Sequence, residues 1–151
     1  MQRLVISNDI LLPEVVRLLG EGNEVILRTK GASMLPFIWG NRDSVVLVRP
    51  VNVNVGDIVL AQVKEDDYVL HRVIGSDKGS VTLMGDGNLS GCEVCRYEDI
   101  KAVAKMIIRD GKTIDCTSRG YLRAVRLWRF LLPARRYILA IYRRLYRYNY
   151  Y

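Results

Sequence analysis

The stretch Asp57–Ile74, DIVLAQVKEDDYVLHRVI, decides the fold class. Its two arms, Asp57 to Lys64 and Tyr68 to Ile74, are rich in Val, Ile and Leu and flank the acidic turn Glu65-Asp66-Asp67. That is the composition of an antiparallel hairpin. Similar segments recur on both sides. Glu24 to Thr29 (EVILRT), Ser44 to Arg49 (SVVLVR, ended by Pro50) and Ser80 to Met84 (SVTLM, after the turn Ser76-Asp77-Lys78-Gly79) read as strands. Lys101 to Arg109 and Thr113 to Cys116 are joined by Asp110-Gly111, a strong hairpin signal. The body is therefore expected to be mainly β, a coiled antiparallel sandwich or partly open barrel. No internal repeat stands out.

Helical periodicity appears only at the two ends. Ser7 or Asn8 can cap a first helix carrying Ile10, Leu11, Val15, Leu18 and Leu19, which Gly20 and Gly22 stop. From Tyr121 onward, Leu122, Val125, Trp128 and Leu132 share one helical face, and Ile138, Ile141, Tyr142 and Leu145 share another. Arginines fill the opposite sides, and Pro133 predicts a hinge between two amphipathic helices. Composition thus divides the chain into a β domain, 1–118, and a basic aromatic tail, 119–151.

Charge sharpens that division. The chain of 151 residues carries a formal charge of +7, yet residues 1–118 hold 14 Lys and Arg against 16 Asp and Glu. The tail holds nine arginines and no acidic residue. Such an asymmetry calls for an anionic partner of the tail, a membrane surface or a nucleic acid. Tyr and Trp beside Arg suit a helix lying in a membrane interface, and alternation with long aliphatic faces favours membrane over nucleic acid. A further alternative has the first tail helix packed on the body and only the second exposed.

The N-terminus has no signal-peptide pattern, because Asn8, Asp9, Pro13, Glu14 and Arg17 interrupt its apolar residues. No stretch reaches the roughly 18 apolar residues of a membrane-spanning helix. Cys92, Cys95 and Cys116 cannot all pair within one chain, so reduced thiols and a cytoplasmic location, peripheral to the inner membrane face, are expected. Cys92-Glu93-Val94-Cys95 lacks the four ligands of a structural zinc site, and no cofactor is expected.

Two residues draw attention as chemistry. Ser33 lies in Gly31-Ala32-Ser33-Met34-Leu35-Pro36, where small neighbours and a proline keep a hydroxyl exposed outside regular structure. A serine attacks at neutral pH only with a base beside it, and His71 is the single histidine. Either residue alone is more often structural. The series S-M-x-P (Ser33–Pro36), G-D-I-V (Gly56–Val59), H-R-V (His71–Val73) and G-D-x-N (Gly85–Asn88) resembles, in order and approximate spacing, the boxes of the type I signal peptidase family. That family shares its β-rich catalytic fold with the LexA-like self-cleaving repressors. The similarity spans roughly residues 24–105, and His71 in place of a lysine matches the Ser/His branch.

The resemblance implies a serine endopeptidase with Ser33 as nucleophile and His71 as general base. Its substrate would be an extended, leader-like peptide cleaved after small side chains. The oxyanion hole would be formed by main-chain N–H groups around Ala32, Ser33 and Met34. Gly31 stands where many members have a serine that assists, so backbone donors would have to suffice. The residue orienting the imidazole stays open between Asp86, in the last box, and Glu93, beside the position of a further family aspartate that is Cys92 here. Asp86 has an alternative role as a turn residue between glycines, and Asp57 reads as a turn residue. The rival class of function is a non-catalytic β domain that binds peptide, membrane or nucleic acid.

Overall fold

The computed structural model describes residues 3–6, 12–65 and 67–150. Strand β1 (Arg3–Ile6) and helix α1 (Leu12–Gly20) lead into β2 (Glu24–Arg28), β3 (Ser44–Val48) and β4 (Ile58–Lys64). Then come β5 (Asp67–Asp77), β6 (Ser80–Met84), β7 (Glu93–Arg96), β8 (Ile100–Arg109) and β9 (Lys112–Asp115). Helices α2 (Arg119–Phe130) and α3 (Arg135–Tyr150) complete the chain, joined by a short 3-10 turn, Leu132–Ala134, that contains Pro133.

Among the described residues nine strands form one sheet, eight in the order β1-β2-β3-β8-β4-β5-β6-β7 and the ninth, β9, paired with β8 off this path. The pairing is antiparallel except between β1 and β2. Strand β8 organises the sheet. One edge pairs with β3, and the other pairs with β4 over its first residues and with β9 over its last. Neither end strand pairs with the other among the described residues, so the sheet stays open. Two tight hairpins have the expected chemistry: Lys78-Gly79 and Asp110-Gly111 are both left-handed, as a two-residue turn matching strand twist requires.

The mainly β class is as expected, with two strands added. Strands β1 and β7 are not expected from the sequence; each has four residues, and β7 overlaps the C-x-x-C stretch. The proposed caps Ser7 and Asn8, with Ile10 and Leu11, lie outside the described residues.

The tail differs from its sequence reading. Tyr121 and Val125 join the principal core with Val15, Leu19, Val45 and Leu47, while Trp128 and Leu139 build a second cluster with Leu35 and Trp39. Each buried aliphatic or aromatic side chain contributes about 1.5–3 kcal/mol, against about 0–1 for a surface ion pair. Apolar burial therefore holds the tail on the body. Both helices pack, not the first alone. The predicted apolar faces are divided: Val125, Trp128 and part of Tyr142 turn inward, while Leu122, Leu132, Ile141 and Leu145 are exposed. Arg135, expected in solvent, is buried.

Candidate active site

Ser33 is positioned by a loop that folds back on itself between β2 and β3. Thr29, just after β2, is tied to the segment that enters β3: Asn41 N–H donates to its carbonyl at 2.8 Å, and its hydroxyl donates to Asp43 O at 2.8 Å. Gly40 N–H donates to Gly31 O at 3.2 Å. A side chain at Gly40 would collide with the backbone of Lys30 and Gly31, which explains the glycine. Gly31 itself is left-handed, with φ of 78°. Met34, Leu35, Ile38 and Trp39 are buried and anchor the loop, while Ser33 is exposed at its bend. The buried Asp43 carboxylate accepts from Trp39 N–H at 2.9 Å and pairs with Arg42 and Arg109. Burial alone would raise this acid, but those donors outweigh it and hold Asp43 below the usual carboxylate range.

The loop after β6, Gly85-Asp86-Gly87-Asn88, presses against the serine loop from below. Gly87 N–H donates to Ser33 O at 2.8 Å. A Cβ at Gly85 would meet Ser33 O, and one at Gly87 would meet Ala32 O. Both glycines thus serve close backbone approach. From the other side, three successive carbonyls of this loop accept bonds from the tail. Trp128 Nε1 donates to Asp86 O at 3.0 Å, Arg143 to Gly87 O at 2.7 Å and Arg135 to Asn88 O at 3.4 Å. The composition change at residue 119 therefore coincides with no break in packing.

Histidine and arginine are neighbours on β5, and strand alternation sends them to opposite sides. His71 is 7% exposed and its Nδ1 lies 3.0 Å from Glu93 Oε2 on β7. Arg72 forms a forked pair with Asp86, Nε to Oδ1 at 2.8 Å and Nη2 to Oδ2 at 2.6 Å. It also donates to Gly56 O at 2.7 Å and to Tyr121 OH at 3.1 Å. Burial works against the Arg72 charge, but Asp86 and Tyr121 more than offset it and its pKa is raised. The two carboxylates left open by the sequence thus have different partners: Glu93 contacts the imidazole, and Asp86 contacts the guanidinium.

A cavity of about 350 Å³ opens between the serine loop and β5, and both Ser33 and His71 line it, with Gly31, Met34, Tyr68 and Leu70. No hydrogen bond joins the Ser33 hydroxyl to the imidazole, and Nε2 has no hydrogen-bond partner among the described residues. The N–H groups of Ser33 and Met34 make no main-chain bonds among the described residues. Along the cleft, Tyr68 to His71 pair with β4 on one edge, while β6 begins to pair only at Arg72. That leaves a strand edge open beside the two side chains.

A family model described as Peptidase S24-like matches residues 6–107. The chain belongs to this Peptidase S24-like family. Comparison with curated proteins gives no match. The matched span of this Peptidase S24-like chain contains Ser33, His71, Asp86 and Glu93 but ends before the tail. The tail contacts on the Gly85–Asn88 loop are additions to that span. Sequence reasoning missed them, and Arg72 as well; the only signal was the arginine inside H-R-V.

The cysteines are free, with Cys92 exposed and Cys95 buried. Burial pushes the Cys116 thiol up to about 11 and raises Cys95 too, so neither presents a thiolate at neutral pH. No three potential metal ligands gather among the described residues.

Proposed function

We propose that the chain is a serine endopeptidase of the Ser/His type, acting on an extended leader-like peptide. The observation that carries this reading is the 3.0 Å contact between His71 Nδ1 and Glu93 on the wall of the cleft that also contains Ser33. A carboxylate accepting from Nδ1–H fixes the tautomer whose Nε2 is basic and stabilises the imidazolium that forms later. Glu93 is thus the orienting residue in this proposal, and Asp86, committed to Arg72, is a scaffold residue.

The chemistry follows from those roles. A rotation of the Ser33 side chain toward Nε2 lets His71 take the hydroxyl proton as Oγ bonds to the substrate carbonyl carbon. The negative charge on the carbonyl oxygen would be met by the N–H groups of Ser33 and Met34. Collapse breaks the C–N bond, and the imidazolium proton passes to the leaving amine. Water, deprotonated by the same base, then releases the acyl group. The open edge of Tyr68–Leu70 supports binding of the substrate as an added strand. Residues Gly31 and Ala32, lacking bulk beside Ser33, leave room for a substrate backbone, in keeping with the signal peptidase-like specificity for small side chains.

The second reading, a non-catalytic peptide-binding domain, is favoured by the missing Ser33–His71 hydrogen bond. Incubation of the full chain with a peptide library, read by mass spectrometry, separates the two. Cleavage by the wild type and none by Ser33→Ala or His71→Ala is the expected result. Cleavage that survives either substitution would overturn the mechanism, and peptide binding without cleavage would favour the second reading.

A further inference from the structure

At the elbow between α2 and α3, a cavity of about 450 Å³ is lined by Arg126, Arg129, Arg135, Phe130 and Leu132, among others. Arg135 is the unusual member. It is 3% exposed, yet no carboxylate pairs with it among the described residues. Its Nη1 reaches Met84 Sδ at 3.9 Å and Asn88 O at 3.4 Å, its face lies 5.0 Å from the Trp128 ring, and its buried Nε has no partner among the described residues. A buried charge normally has an opposite charge beside it, because desolvation is otherwise uncompensated. The nearest candidate, Asp86, is already engaged by Arg72. Burial, together with Arg72 and Arg129 nearby, holds the Arg135 pKa below its usual value despite the Asp86 charge.

The surroundings point to what would complete this site. Arg126 and Arg129 are exposed and line the same cavity, Arg129 donating to Ile74 O at 3.5 Å, so three arginines surround it with no acid among its lining residues. The first turn of α3, which starts at Arg135, contains no acidic residue either, so the positive end of the helix dipole is uncompensated there. Guanidinium groups clustered in this way suit the oxygens of a phosphate. Apolar side chains stand beside the cations: Phe130 is 82% exposed and Leu132 44% exposed. A soluble anion makes no use of those groups, whereas a phospholipid presents a phosphate with apolar surface directly beneath it. We infer that the α2–α3 elbow is a binding site for the phosphate headgroup of an anionic phospholipid, with Phe130 and Leu132 entering the bilayer interface. This inference stands apart from the peptidase reading, since none of these residues lines the Ser33 cleft.

Co-sedimentation of the full chain with vesicles of phosphatidylcholine alone, or of phosphatidylcholine with phosphatidylglycerol, tests it. Arg135 is buried and its loss can unfold the chain, so the exposed pair is substituted instead. Binding to the anionic vesicles is expected to fall at least about tenfold in Arg126→Gln/Arg129→Gln. Arg144→Gln/Arg147→Gln removes the same charge from exposed positions outside the cavity and should cost clearly less. Phe130→Ser should weaken binding without altering the response to added salt. Equal losses in the two arginine pairs would reduce the site to general surface charge and overturn it. Saturable binding of inorganic phosphate without vesicle binding, or binding of a single-stranded RNA with none to vesicles, would overturn the lipid assignment.

Discussion

Two adjacent residues of β5 build two hydrogen-bonded pairs of opposite character. On one side of the strand His71 meets Glu93 at the wall of an open cleft; on the other Arg72 meets Asp86 with side chains only 1% and 2% exposed. Both are a base and an acid at hydrogen-bonding distance, but their surroundings separate their uses. The Arg72 pair is buried and further bonded to Gly56 O and Tyr121 OH, with Trp128 donating to the Asp86 carbonyl, so it serves to hold elements together. Among the described residues the His71 pair keeps one ring nitrogen uncommitted, which is the condition for moving a proton. One pair steadies the loop beneath Ser33, and the other faces the cleft where Ser33 is exposed.

Breaking the buried pair should have the largest effect on stability. Arg72→Met or Asp86→Asn leaves one buried partner uncompensated, at a cost of about 3–5 kcal/mol, measured by urea unfolding. The same change on the other side should behave oppositely. If Glu93→Gln costs as much stability as Asp86→Asn, the contrast between the two regions fails. Next in size is Gly87→Ala, whose Cβ meets Ala32 O. Displacement of the serine loop should lower both melting temperature and any peptidase rate, whereas a stability loss with unchanged rate would disconnect that loop from the site.

Trp128→Phe removes the donor to Asp86 O while keeping most of the ring, and about 1–3 kcal/mol is expected for the buried carbonyl left unsatisfied. A pH titration of stability probes another buried acid, Asp43. Because the folded pKa of Asp43 is depressed, its contribution is complete above the ordinary carboxylate range and is lost as pH falls through that range toward the folded value. Asp43→Asn should therefore flatten the acid limb of the stability curve, and an unchanged limb would remove Asp43 as its source. The smallest stability effect, within about 0.5 kcal/mol, is expected for Glu93→Gln at the half-exposed edge. Its peptidase rate should still drop on the order of 10²–10⁴-fold, as for loss of an orienting carboxylate.

Much of this fold was legible because short strands advertise themselves locally. Strands rich in Val, Ile and Leu around an acidic, Lys-Gly or Asp-Gly turn specify hairpins through near neighbours in the chain, and the structure has them at β4–β5, β5–β6 and β8–β9. Strands β1 and β7 escaped because four residues supply too little periodicity, and their pairing rests on partners elsewhere in the chain. Of the site, Ser33 and His71 could be singled out from residue type, loop composition and the family boxes. The choice between Asp86 and Glu93 could not be made there, since both lie at plausible distances along the chain.

By itself, then, the sequence determined the β class, the hairpin turns, the exposed serine loop and the basic amphipathic character of the tail, all of which follow from local composition and period. Only the tertiary structure decided which acid meets which base, that Arg135 is buried with no carboxylate partner among the described residues, and that Trp128, Arg135 and Arg143 reach the loop under Ser33. These pairings join residues 14 to 56 positions apart, where a hydrogen bond of about 3 Å depends on how whole elements pack. No local pattern encodes that distance, because packing of the tail on the sheet fixes it through burial of apolar surface.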